Sequence, residues 1–243
     1  MQPPERERFS AAQARWFHRL IGLAMLAAVA SEAVARVDLV HAGVFFPYRH
    51  LPGIPLYGRE LLGLEWGVTI VVALALIAGW RLALVLRVAL AVLVVGLSQR
   101  FSNHRALLVL VLAFASLEPA DPRASDFETR PWPALALVRY QLVIVYLASA
   151  ANKLVHGFGD GDVLVRVLSI PPRLARPLAL ATIALELAVP LLLLLRPRLG
   201  IAVVCALHLT FALALPATWS FGFTMVAMAL LFDVRRGGSP TPR

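Results

Sequence analysis

Long apolar stretches joined by connectors of a few residues dominate this sequence. "LLGLEWGVTIVVALALIAG" (61–79) runs through "GWR" (79–81) into "LALVLRVALAVLVVGLS" (82–98). "PLALATIALELAVPLLLLL" (177–195) runs through "RPR" (196–198) into "LGIAVVCALHLTFALAL" (199–215). Stretches near the roughly 20 residues that a helix needs to cross a bilayer point to membrane spans. Each backbone N–H and C=O in hydrocarbon must be bonded within its own segment, which leaves helices as the economical solution. Connectors this short make the two pairs helical hairpins. The chain is 60% hydrophobic and 15% charged, against an apolar share of roughly 45–50% in soluble domains.

The whole chain is read this way as one all-α, polytopic membrane bundle of about eight spans with no soluble domain. The spans are 16–36, 60–79, 81–99, 104–118, 134–156, 174–195, 198–215 and 218–233. A polar tail, 1–15, precedes a transmembrane domain, 16–234, and a disordered tail, 235–243, follows it. The polar, arginine-bearing start has no small-residue cleavage site after its apolar run, so the first span is read as retained. The segment 41–58 is rich in aromatics, Pro and Gly and suits the membrane interface. The segment 118–133 is acidic and proline-rich and reads as a water-exposed loop. The segment 157–177 holds a short amphipathic piece between turn signals.

The net charge of +9 comes from scattered arginines, with no basic block. That is the pattern of loop charges beside membrane helices, and nucleic acid is not expected as a partner. Arg100 and Arg105 are counted among those loop charges. Arginines are in excess on the side holding both termini, which places the termini in the cytoplasm of a bacterial inner-membrane protein. The single cysteine, Cys205, excludes an intrachain disulfide and a zinc site built on several cysteines. No metal is expected.

Polar groups inside such spans mark function or pairing. The fifth span carries Tyr146, Ser149, Lys153 and His156 at helical spacing along one face, with Asn152 beside it. Lys153 is the only lysine; every other fixed cation is arginine. A desolvated amine can lose its proton, whereas a guanidinium effectively cannot. Lys153 therefore reads either as a base or as a lysine near a helix end that reaches for the interface. Asn103 and His104 open the fourth span, Asn103 as a helix cap and His104 as a hydrogen-bond donor or interface residue. Alternation of spans puts the start of the fourth and the end of the fifth on one face, bringing His104 and Lys153 to similar depth. Glu186 lies mid-span, followed by Pro190, as a proton handler or the partner of a cation such as Arg87 or Arg139. His208 reads as a hydrogen-bonded packing residue within the seventh span.

The stretch "QLVIVYLASAANKLVHGFGDGDVL" (141–164) resembles the membrane domain of the vitamin K-dependent gamma-carboxylase family, also called the HTTM family. Ile144, Val145, Tyr146, Lys153, Leu154, Phe158, Asp160 and Gly161 carry the likeness, with Phe158 where tryptophan is usual and Asn152 at the position before the lysine. "FSNHRALLVLVLAF" is similar to the family's Asn-His helix. "IALELAVPLLLLL" and "VVCALHLTFAL" are similar to its Glu- and His-bearing spans.

The resemblance implies that Lys153 is the base that deprotonates reduced vitamin K or another naphthoquinol. His104 would stabilise the oxygenated intermediate, with Tyr146, Asn103, Asn152, His208 and Glu186 around the quinone. Oxygen drives epoxidation, and the alkoxide formed removes a proton from an acceptor that then takes up CO2. The acceptor would be a peptide or protein. The animal enzymes also have a large lumenal substrate-binding domain with no counterpart in these 243 residues. Two other expectations stand beside this one: a non-catalytic quinone- or lipid-binding module or complex subunit, and a small transporter with Glu186 and His208 as a proton relay.

Overall fold

A computed structural model describes residues 8–41, 59–80, 82–99, 103–117, 129–131, 133–215 and 218–233. The segment 42–58, most of the acidic segment 118–133 and the C-terminal tail lie outside them.

The described residues form nine α-helices and one small antiparallel pair of strands. The helices are α1 (Ala11–His41), α2 (Arg59–Ala78), α3 (Leu82–Gln99), α4 (Asn103–Leu117), α5 (Pro133–Val155), α6 (Asp162–Leu168), α7 (Pro172–Leu195), α8 (Pro197–Ala214) and α9 (Trp219–Leu230). A single 3-10 turn, Phe158–Asp160, separates α5 from α6. Each of the eight apolar stretches read from the sequence is helical, and α6 is the short amphipathic piece. Among the described residues, four helical stretches are long and apolar enough to cross a membrane: Glu60–Ala78, Pro133–Val155, Pro172–Leu195 and Pro197–Ala214. The apolar runs in α3, α4 and α9 are shorter.

Helix α1 starts inside the segment read as a polar tail. Ser10 and Gln13 explain why: Gln13 N–H donates to the Ser10 hydroxyl (3.1 Å), and Ser10 N–H donates to Gln13 Oε1 (2.9 Å). This reciprocal cap satisfies two of the four backbone donors that every helix start leaves open. Just before it, β1 (Arg8–Ser10) pairs antiparallel with β2 (Thr129–Pro131), Phe9 opposite Arg130. The all-helical expectation thus gains a three-residue ladder. Phe9, at its centre, is fully buried.

Chain neighbours are also neighbours in space: α1 packs on α2, α2 on α3, α3 on α4, α4 on α5, α5 on α7, α7 on α8 and α8 on α9. Contact of α9 with α1 closes the circuit, and α9 also touches α4 and α5. The Gln13 amide donates to the carbonyls of Leu230 (3.2 Å) and Asp233 (2.7 Å), tying the start of α1 to the end of α9. The starts of α1 and α5 and the end of α9 therefore share one end of the bundle, and the start of α4 and the end of α5 belong to the other. Small residues permit the close approaches. A Cβ on Gly22 would sit 2.7 Å from the Ala73 carbonyl oxygen of α2. The core is Phe17, Ile21, Met25, Leu76, Leu86, Leu93, Leu108, Leu112 and Leu142 and their neighbours. The outer surface is also apolar, with Leu64, Val71, Leu74, Ile144, Leu191 and Leu213 all exposed. An aliphatic exterior of that extent suits a lipid surround.

Candidate functional site

The polar residues of α5 face two different helices. Leu142, Tyr146 and Ala150 are buried one helical turn apart, and Lys153 continues the row. Lys153 Nζ lies 2.6 Å and 2.8 Å from the two carboxylate oxygens of Glu186 on α7 and donates to Ser149 Oγ at 2.7 Å. Its ammonium also lies 5.5 Å from the centre of the Phe158 ring. The Glu186 side chain is 6% exposed and that of Lys153 21%. An almost buried carboxylate is thus held by an amine that still reaches the surface.

Helix α7 continues through Pro177 and Pro190, and Glu186 lies between them. The turn after α5 folds back against α7 as well. Gly157 and Gly161 take left-handed φ angles of 71° and 87°, and a Cβ on Gly161 would meet the backbone of Ala175 and Arg176 at 2.6 Å. Glycine is the residue that this conformation and this closeness allow. The "GFGDGD" run is therefore a packing turn between α5 and α7. Glu186 was expected to meet Arg87 or Arg139 if it was an ion-pair residue. Arg87 is instead exposed on α3, and Arg139 lies over the rings of Tyr140 and Phe232 with its guanidinium donating to the Tyr140 hydroxyl at 3.0 Å.

Two turns earlier on α5, the Tyr146 hydroxyl meets His208 Nε2 of α8 at 2.9 Å. Tyr146 is 2% exposed and His208 4%. The His208 ring stands edge-on to Phe211 and Phe221, with centres 6.1 Å and 5.2 Å away. The two acid–base residues of the transporter expectation, Glu186 and His208, therefore hold different partners on α5.

Helix α5 ends at Val155, so His156 leaves the expected stripe. It sits in a turn, its N–H donating to the Asn152 carbonyl at 3.0 Å, and its side chain is exposed. Asn152 is exposed beside it. Asn103 and His104 begin α4, at the end of the bundle that also holds the end of α5; their side chains lie outside the described part. Among the described residues no group of three His, Cys, Asp or Glu side chains gathers to hold a metal ion.

A second charge centre was missed in the sequence. Arg105, counted as a loop charge, is in the first turn of α4 and only 4% exposed. Its guanidinium donates to Glu32 of α1 at 2.7 Å and lies 3.0 Å from Glu65 of α2. Gly96 of α3 leaves the room, since a side chain there would run into both Arg105 and Glu65. The missed signal was Glu65 itself, a carboxylate set inside the apolar run "LLGLEWGVTI".

Comparison with known protein families, with curated proteins and with solved structures gives no match.

Proposed function

We propose that this chain is an integral-membrane protein whose helices α1–α5 and α7–α9 cross the bilayer. We propose further that Lys153 and Glu186 form the basic centre of a quinol-dependent, carboxylase-like reaction. The termini would be cytoplasmic in a bacterial inner membrane and the centre would face the extracytoplasmic side. The supporting observation is the shape of the pair: both Glu186 oxygens within 2.8 Å of an amine whose side chain is 21% exposed. Its residues suit an aromatic diol. The amine and carboxylate can exchange a proton, Phe158 offers a ring face, and the surrounding helix surfaces are aliphatic.

When bound, a reduced naphthoquinone supplies a phenolic O–H and, with O2, the oxidative driving force for proton removal and CO2 uptake by an acceptor. Lys153 receives the phenolic proton while an ammonium proton passes to Glu186. The couple then carries one net positive charge, which would balance the anion left by the phenol. Ser149 holds the amine in line between the two. His104, at the same end of the bundle, is the residue that the family resemblance assigns to the oxygenated intermediate.

The experiment is turnover in lipid nanodiscs with a panel of reduced naphthoquinones, O2 and bicarbonate, scoring quinone epoxide. Wild type forms epoxide and Lys153→Arg does not, while both unfold at similar temperature. Absence of epoxide with every quinol tested overturns the proposal. A second reading rests on the same bidentate contact: Lys153–Glu186 is a structural ion pair in a non-catalytic quinone- or lipid-binding module. Quinone binding without epoxide from the wild type would favour that reading, and epoxide formation by Lys153→Arg at the wild-type rate would remove Lys153 as the base.

A further inference from the structure

We infer that the Arg105–Glu32–Glu65 cluster is a positioning device that sets the rotation of α4 and with it the helix backbone at positions 103 and 104; as a statement about function this rests on the proposal above. Beyond its first turn, the one polar side chain of α4 is Ser116, whose hydroxyl donates to the Ala113 carbonyl of the same helix; the rest of "ALLVLVLAFASL" (106–117) is apolar. In a bilayer, leucine against lipid is nearly as good as leucine against leucine, so such a helix has little to fix its rotation. Its buried row, Leu107, Leu108, Val111, Leu112 and Ala115, could be replaced by a neighbouring row of aliphatic residues at small cost.

Arg105 removes that freedom. It is one residue from His104, in the first turn, and its guanidinium reaches two helices at once: 2.7 Å to Glu32 of α1 and 3.0 Å to Glu65 of α2. A turn of α4 by one residue swings the guanidinium about 100° away from both carboxylates. Glu65 is itself held at an angle set by burial, with 5% of its side chain exposed. Burying such a cluster adds little net stability over an apolar replacement of the same shape, so its supply is geometry. Geometry at this turn is what a residue acting at 104 requires.

The test separates placement from stability. In a Cys205→Ala, His104→Cys background, the cluster is replaced by the neutral set Arg105→Met, Glu32→Gln and Glu65→Gln. Labelling of the cysteine at 104 by a maleimide is then followed in nanodiscs. The neutral set is expected to fold, with an unfolding temperature within a few degrees of its parent, and to change the labelling rate about threefold or more as the first turn of α4 reorients. Arg105→Lys, which keeps the charge but not the fork, gives an intermediate change. Unchanged labelling in both variants overturns the inference.

On the native His104 background, the neutral set loses about tenfold or more in kcat with a smaller change in quinol KM. Wild-type turnover retained by the neutral set overturns the inference as well. If the wild type itself makes no epoxide, the proposed function falls and the labelling still decides the role of Arg105.

Discussion

Two charge centres among the described residues use the same chemistry with the exposed partner reversed, the carboxylate of Glu32 in one and the amine of Lys153 in the other. On the α1–α4 side, a 4%-exposed guanidinium is fixed between two carboxylates of other helices. On the α5–α7 seam, a 21%-exposed amine holds one carboxylate. Arginine offers a rigid fork that keeps its proton, whereas lysine is a movable point charge that can give its proton up. The first centre ties three helices together, and the second joins two; under the proposed function, the single lysine stands at the seam where a proton is exchanged.

The contrast can be broken at either centre, and the effects should fall with burial. Arg105→Ala leaves Glu32 and Glu65 facing each other without the guanidinium and is expected to cost about 3–5 kcal/mol. Chemical unfolding in detergent micelles measures it, and a cost under about 1 kcal/mol would show that the cluster is solvated. Lys153→Met leaves Glu186 buried and is expected to cost less, about 2 kcal/mol. The added change Glu186→Leu should recover most of that loss, because an apolar pair of similar size packs as well. Tyr146→Phe removes one buried hydrogen bond from His208 and is expected to cost about 1–2 kcal/mol. At the far end of the scale, the exposed Arg166–Asp162 pair on α6, 3.4 Å apart, should give less than about 0.5 kcal/mol on Arg166→Ala. An Arg166 effect as large as that of Lys153 would break the ordering by burial.

Much of this was legible because hydrophobic length and short connectors leave few choices. Residues 79–81 and 196–198 announced two hairpins, and the structure turns the chain at both. Spacing put Tyr146, Ser149 and Lys153 on one face, and the helix bears those three out along a single row. His156 escaped the rule because periodicity does not mark where a helix ends; the left-handed glycines at 157 and 161 do that. Glu186 was legible as a residue needing a partner, but its partner was not. Arg87 and Arg139 lie on other helices at similar apparent depth, and a linear sequence carries no azimuth. Arg105 was misread because a cation at a span boundary looks the same whether it points to water or into the bundle.

The sequence by itself determined that the chain is helical, apolar outside as well as inside, and polar along one face of α5. Those properties follow from local periodicity and from the cost of unpaired backbone in hydrocarbon. Tertiary structure alone decided which charge meets which: Lys153 with Glu186, Tyr146 with His208, Arg105 with Glu32 and Glu65. The reason is physical. Apolar helix faces pack almost interchangeably, whereas a buried charge accepts few neighbours, and those neighbours come from helices distant in the chain.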